Sequence, residues 1–194
     1  MKLYTFQPVA AYEAAKKRGY LTATEELAKE AWNEGVDADF WDWVKPSYDF
    51  MLKQMAKRLP NFTGEYPIWA YAWRVDLRCF RREYKSEQLL MTLDVPEERV
   101  LLSCMDGWHF VMNNSYFAVS EKEYNRVCGE DGGRKVSKKV REKSWERIFD
   151  LDLEYDPDWM GTGPKDLQAC CDRVYLDEIK SIRQLRPWGK GQCK

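Results

Sequence analysis

Histidine is almost missing from this chain: His109 is the single one among 194 residues. The six cysteines (Cys79, Cys104, Cys128, Cys170, Cys171 and Cys193) include no Cys-x-x-Cys pair. The usual zinc-holding spacings are therefore lacking, and no metal is expected. Gly-x-Gly-x-x-Gly, a phosphate-binding loop and a nucleophile elbow are absent too, which leaves the common dinucleotide, kinase and hydrolase readings without sequence support. There is no excess charge of either sign, since 31 basic side chains are set against 32 acidic ones, and a partner held by net charge is not indicated. Long apolar runs are lacking as well. The opening Lys2-Leu3-Tyr4-Thr5-Phe6-Gln7 is too short for a signal peptide and no stretch approaches a membrane span, so a cytoplasmic protein without a membrane partner is expected. Adjacent Cys170 and Cys171 sit in an apolar context that fits reduced core thiols.

What the chain has in quantity is aromatic residues, nine of them tryptophan, within 44% hydrophobic and 32% charged residues overall. The stretch from Tyr66 to Arg78 puts Trp69, Tyr71 and Trp73 at period two and ends in Arg-Val-Asp-Leu-Arg. Alternate residues of a strand share a face, so these three form one wall while Ala70 and Ala72 leave the other face shallow. Such a wall packs under a helix or lines a pocket for a flat ligand.

Around it the periods alternate. Leu3 to Phe6 reads as a strand, and Pro8 opens an Ala-rich helix that Gly19 terminates. Thr22 to Glu25 offers a capping box for a second helix, and residues 39–59 carry a third, with Pro46 as a kink or a fresh start. Ile68 to Trp73, Gln88 to Val95 and Arg99 to Cys104 read as strands, with a turn at Pro96. A short helix entered through Asp106 follows, then one capped by Ser120 and Glu123, a loop over residues 130–135, a helical stretch from Val136 to Phe149 and a loop from Asp156 to Pro164. Leu167 to Tyr175 and Ile179 to Leu185 close the chain as strands, before a frayed tail over 187–194. The expectation is one α+β domain with a mostly antiparallel central sheet flanked by helices, the helical segment 22–60 packed on it and the first and last strands joining the sheet.

Lys2-Leu3-Tyr4-Thr5-Phe6-Gln7, Tyr66-Pro67-Ile68-Trp69-Ala70, Asp76-Leu77-Arg78, Val95-Pro96-Glu97-Glu98-Arg99, Trp108-His109, Ser144 to Leu151 and Leu167-Gln168-Ala169 together resemble, block by block and in order, the bacterial family called domain of unknown function 3841. A second resemblance is to ADP-ribosyltransferases, on Leu3-Tyr4-Thr5-Phe6-Gln7 and Gly19-Tyr20-Leu21. That resemblance implies an ADP-ribosyltransferase-like core with NAD as substrate and a protein or nucleic-acid acceptor. It implies that Thr5 and Gln7 meet the ribose, that Trp69 or Tyr71 stacks the nicotinamide, and that Gln168 stands where such enzymes carry a glutamate. Thr5 replaces the usual His or Arg, and a neutral amide at Gln168 binds a hydroxyl without supplying negative charge to an oxocarbenium-like transition state.

Beside it stand candidates read from chemistry alone. Histidine is the side chain suited to proton transfer near neutral pH, so His109 is the tentative acid or base, next to Trp108 and in one stripe with Asp106 and Asn113. Arg78 suits a phosphate, or an internal salt bridge. Lys138, Lys139, Arg141 and Lys143 read as a solvated helix face. The alternative to a nucleotide-binding transferase is a non-enzymatic module that receives a partner protein on its Trp-rich surface. A hydrolase or nuclease using His109 with Asp106 is the third reading.

Overall fold

The computed structural model describes residues 1–33, 40–77 and 86–186. Arg78, Cys79 and the tail over 187–194 lie outside the described residues. The strands are β1 (Lys2–Pro8), β2 (Tyr20–Thr22), β3 (Ile68–Tyr71), β4 (Gln88–Asp94), β5 (Leu101–Cys104), β6 (Leu167–Cys171), β7 (Arg173–Tyr175) and β8 (Ile179–Leu185). The helices are α1 (Val9–Arg18), α2 (Glu25–Asn33), α3 (Phe40–Arg58), α4 (Met105–Met112), α5 (Glu121–Cys128), α6 (Lys138–Trp145) and the single turn α7 (Pro157–Met160). The chain is α+β with a mostly antiparallel sheet, as the alternating periods predict.

The chain falls into two compact units, one comprising Met1–Ala28, Met55–Leu101 and Ala169–Lys194 and the other Lys29–Gln54 and Leu102–Gln168. In the first, β1 pairs antiparallel with β3 on one side and β4 on the other, and β4 pairs antiparallel with β8. Leu3 lies opposite Leu93 and Thr5 opposite Met91. Leu3, Thr5, Leu89, Met91 and Leu93 are buried on one sheet face, as a period-two pattern requires. Gly19 closes α1 in the left-handed conformation (φ 94°), where a residue without Cβ is favoured, and its N–H caps the Ala15 carbonyl at 2.8 Å.

Several boundaries differ from the sequence reading, each for a local reason. The expected strand from Leu167 to Tyr175 is split at Asp172: β7 leaves β6 to pair with β2, an element the sequence did not announce. Asp172 accepts from the N–H and the hydroxyl of Thr63 at 2.8 and 2.6 Å, which pins the break. Thr22 does not cap α2, because it lies in β2 and its hydroxyl donates to Glu65 Oε2 at 2.8 Å. Thr24 Oγ1 accepts from Leu27 instead. The short helix α4 is entered through Cys104, whose sulfur accepts from the Gly107 N–H at 3.5 Å, and not through Asp106. Helix α3 runs on through Pro46.

The second unit packs rings. Phe50 meets Trp145 edge-on at 5.3 Å, Phe110 lies 5.2 Å from Phe117, and Trp41 packs on Tyr48 at 5.3 Å. Gly107 is needed for closeness, since a Cβ there would stand 2.9 Å from Ile148 Cγ2 and 3.1 Å from the Phe117 ring. In this unit β5 lies beside the start of β6, and the Met105 N–H donates to the Asp166 carbonyl at 2.7 Å. Among the described residues no helix is long and apolar enough to cross a membrane.

Candidate functional site

The residues expected to grip a nicotinamide riboside are divided by the sheet. Tyr4 is paired opposite Tyr71, so Tyr4, Phe6, Trp69 and Tyr71 share one face, with Phe6 and Tyr71 edge-on at 6.1 Å. Thr5 and Gln7 alternate with Tyr4 and Phe6 and therefore point to the other face. Thr5 is 1% exposed; its hydroxyl donates to the Trp69 carbonyl at 2.7 Å and accepts from Gln7 Nε2 at 2.9 Å. The aromatic wall also ends early. Strand β3 stops at Tyr71, and it is Ile68 and Ala70 that are buried, while Trp69 and Tyr71 are half-buried and Trp73 is in a bend. In the second unit Gln168 is buried and donates to Ser103 Oγ at 3.2 Å, and Trp108 is buried as well.

His109 is placed differently. It is exposed and lines a cleft of about 740 Å³ that lies wholly within the second unit. The end of α4 and the residues after it supply His109, Phe110, Asn113, Asn114, Ser115 and Tyr116; α5 supplies Tyr124 and Cys128. The following loop adds Gly132, Arg134 and Val136, α6 adds Arg141, and α7 adds Trp159. Among the described residues no carboxylate lines this cleft, and Asp106 is not one of its lining residues.

Local structure explains each placement. Asn114 takes a positive φ of 53°, which asparagine tolerates better than most residues, and this turns the chain out of α4. Ser120 caps α5 by accepting from the Glu123 N–H at 3.2 Å, and Ser137 caps α6 through the Val140 N–H at 3.4 Å. Between these helices the Arg134 N–H donates to the Cys128 carbonyl at 2.8 Å, and Arg134 Nη1 donates to the Arg126 carbonyl at 2.6 Å.

The electrostatics are one-sided. Neither Arg134 nor Arg141 has a carboxylate partner among the described residues. Arg141 rests over the Trp145 ring at 5.8 Å, and its buried Nε–H has no acceptor from the protein. A buried guanidinium donor left unsatisfied is costly, so an acceptor supplied by a ligand is favoured there. Burial pushes the Cys128 thiol pKa up, which disfavours its thiolate. Behind the cleft the acidic charge is consumed: Glu123 accepts from the Tyr116 hydroxyl at 2.8 Å, the Val119 N–H at 3.0 Å and Arg147 at 2.9 Å. Burial alone would raise the Glu123 carboxyl; those three donors outweigh it and hold it below the usual range.

The cleft therefore has the parts of an anion site with aromatic walls. Sequence reading found His109 and named Arg141, though as part of a solvated helix face. It missed Arg134, Tyr124 and Trp159: the 130–135 loop carries Arg134 and the 156–164 loop carries Trp159, while Tyr124, within α5, had no signal of its own.

The chain belongs to the family described as Domain of unknown function (DUF3841), which it matches over residues 2–179. No curated protein and no solved structure matches it.

Proposed function

We propose that the chain binds a nucleotide, NAD or a related phosphate ester, in the cleft formed by His109, Arg134, Arg141, Tyr124 and Trp159. The observation that carries this is the Arg141 Nε–H, buried at a carboxylate-free cleft with no protein acceptor. Arginine meets phosphate through a planar fork of donors, and such charge-assisted bonds are about twice as strong as neutral ones. Aromatic rings beside the cations suit a base. A volume of about 740 Å³ is within the range of small-molecule sites. His109 adds a third donor beside the two guanidinium groups. Among the described residues the cleft offers no carboxylate to face a developing positive charge, which argues against ADP-ribosyl transfer there.

Calorimetric titration with NAD and with ATP is the test. Saturable binding is expected, weakened about tenfold or more by Arg141→Ala and by Arg134→Ala. No saturable heat at millimolar ligand, or affinities unchanged in both variants, would overturn the proposal. In that event the interaction-module reading would take its place, resting on surfaces such as Trp43, which is 55% exposed.

A further inference from the structure

The aromatic side of the cleft is held from two directions. Trp159 is anchored by its indole N–H, which donates to the Ala118 carbonyl at 3.1 Å. Its turn is fixed by Asp156, whose carboxylate accepts from the Asp158 N–H and whose own N–H donates to the Val119 carbonyl at 2.9 Å. The Tyr124 ring lies 5.4 Å from the Trp159 ring, tilted by 37°. At its far end Tyr124 meets Gly132. A Cβ on Gly132 would stand 2.6 Å from the tyrosine hydroxyl oxygen, whereas the nearest ring carbon would be 3.6 Å away. Gly132 also has φ +67°, and its N–H donates to the Gly129 carbonyl at 2.9 Å. The same turn carries Arg134 two residues on, so one short loop presents a cation and sets the limit for a ring.

We propose that Gly132 is a positioning residue: by leaving room for the Tyr124 hydroxyl it keeps Tyr124 against Trp159, and the resulting wall selects phosphates that bear a planar ring over phosphates that do not. This rests on the nucleotide reading above. Stacking is indifferent to which base is offered, because every base has a π face. The wall thus separates ring from no ring, while Arg134 and Arg141 serve both kinds of phosphate alike. A side chain at Gly132 meets the Tyr124 hydroxyl and forces that ring to shift, and it also strains the left-handed backbone of the turn, which is why Tyr124→Ala, with Gly132 intact, is tested beside it.

ATP and tripolyphosphate both carry three linked phosphates, tripolyphosphate lacking the ring and sugar and bearing one more ionisable oxygen, so the ratio of their affinities is compared between variants. Titrations of the full chain are run on the unchanged protein, Gly132→Ala, Tyr124→Phe, the double variant and Tyr124→Ala, each checked for folding by circular dichroism. The unchanged protein is expected to prefer ATP by about fivefold or more. Gly132→Ala is expected to lose most of that preference with little change toward tripolyphosphate. The double variant should regain it, because without the hydroxyl the new methyl meets only the ring carbon at ordinary contact distance. Equal losses for both probes, or no recovery in the double variant, would overturn the role of Gly132. Tyr124→Ala keeps Gly132 intact, and an unchanged preference there would overturn the wall even if the alanine variant at 132 fails to fold. If the unchanged protein binds neither probe, it is the nucleotide reading itself that falls.

Discussion

Glu123 and Arg141 are charged side chains of the same unit put to opposite uses. Glu123 is saturated by three donors, and Arg147, which is 36% exposed, is one of them. Glu123→Gln removes the charge and one acceptor from a group that is only 10% exposed. Losing one partner of a largely buried pair leaves the other uncompensated, and partial access of Arg147 to water offsets some of that. We expect a cost of about 2 kcal/mol in urea unfolding; a cost below about 0.5 kcal/mol would show that the pair is idle. Thr5 separates the two placements of the nucleotide. Its hydroxyl is consumed by the Trp69 carbonyl and Gln7, so Thr5→Val should cost about 1 kcal/mol of stability and leave NAD affinity unchanged. A matching fall in affinity would return the ligand to β1. The resemblance to ADP-ribosyltransferases assigned Thr5 to a ribose, whereas in the structure its hydroxyl is held within the sheet. What the register could not show is that the partner is a main-chain carbonyl of the same sheet.

At the scale of elements, most of the chain was legible wherever one period ran long enough. Strands β1, β4 and β8 and helices α1, α3 and α5 lie where alternation, caps and glycine place them. The failures are short or share residues with a tertiary tie. Strand β2 has three residues and exists because β7 pairs with it, with Arg173 held by Glu65 at 2.7 Å and the Arg173 guanidinium over the Tyr20 ring at 4.5 Å. No local pattern announces a partner about 150 residues away. Gly19, by contrast, was readable in full. A Cβ there would meet nothing within 4 Å, so only the left-handed backbone opposes substitution. Gly19→Ala is therefore expected to cost about 1 kcal/mol, and Gly19→Asn less, by thermal or urea unfolding. Equal stability of the alanine variant would mean that α1 can end elsewhere.

For the whole molecule, the site is less legible than the fold because its residues come from five segments, and only the folded second unit gathers them. The same is true of two of the ionic ties, Glu65–Arg173 in the first unit and Glu123–Arg147 in the second, that shape the response to pH. Burial would raise Glu65, yet Arg173 and Thr22 hold its carboxyl below the usual 4.5, and Glu123 is lowered against burial by its own donors. A carboxyl whose folded pKa is depressed stabilises fully above the unfolded value, and this stabilisation is lost as pH falls through the folded one. Both units should therefore weaken on acidification from about 4.5 downward. At the other end burial lifts the Cys170 thiol and takes Cys171 from 9.0 to about 12, and Tyr116 is raised by burial and then by Glu123. These groups stay protonated when folded and ionise when unfolded, so their contribution is complete below about pH 9 and drains away above it. The thermal midpoint, followed from pH 3 to pH 10.5, is expected to show a plateau with a fall on each side. The acid limb should be shallower in Glu123→Gln, which has one carboxylate fewer to protonate. A midpoint that rises between pH 5 and pH 4, or an acid limb as steep in the glutamine variant, would mean that these carboxylates do not hold the units together.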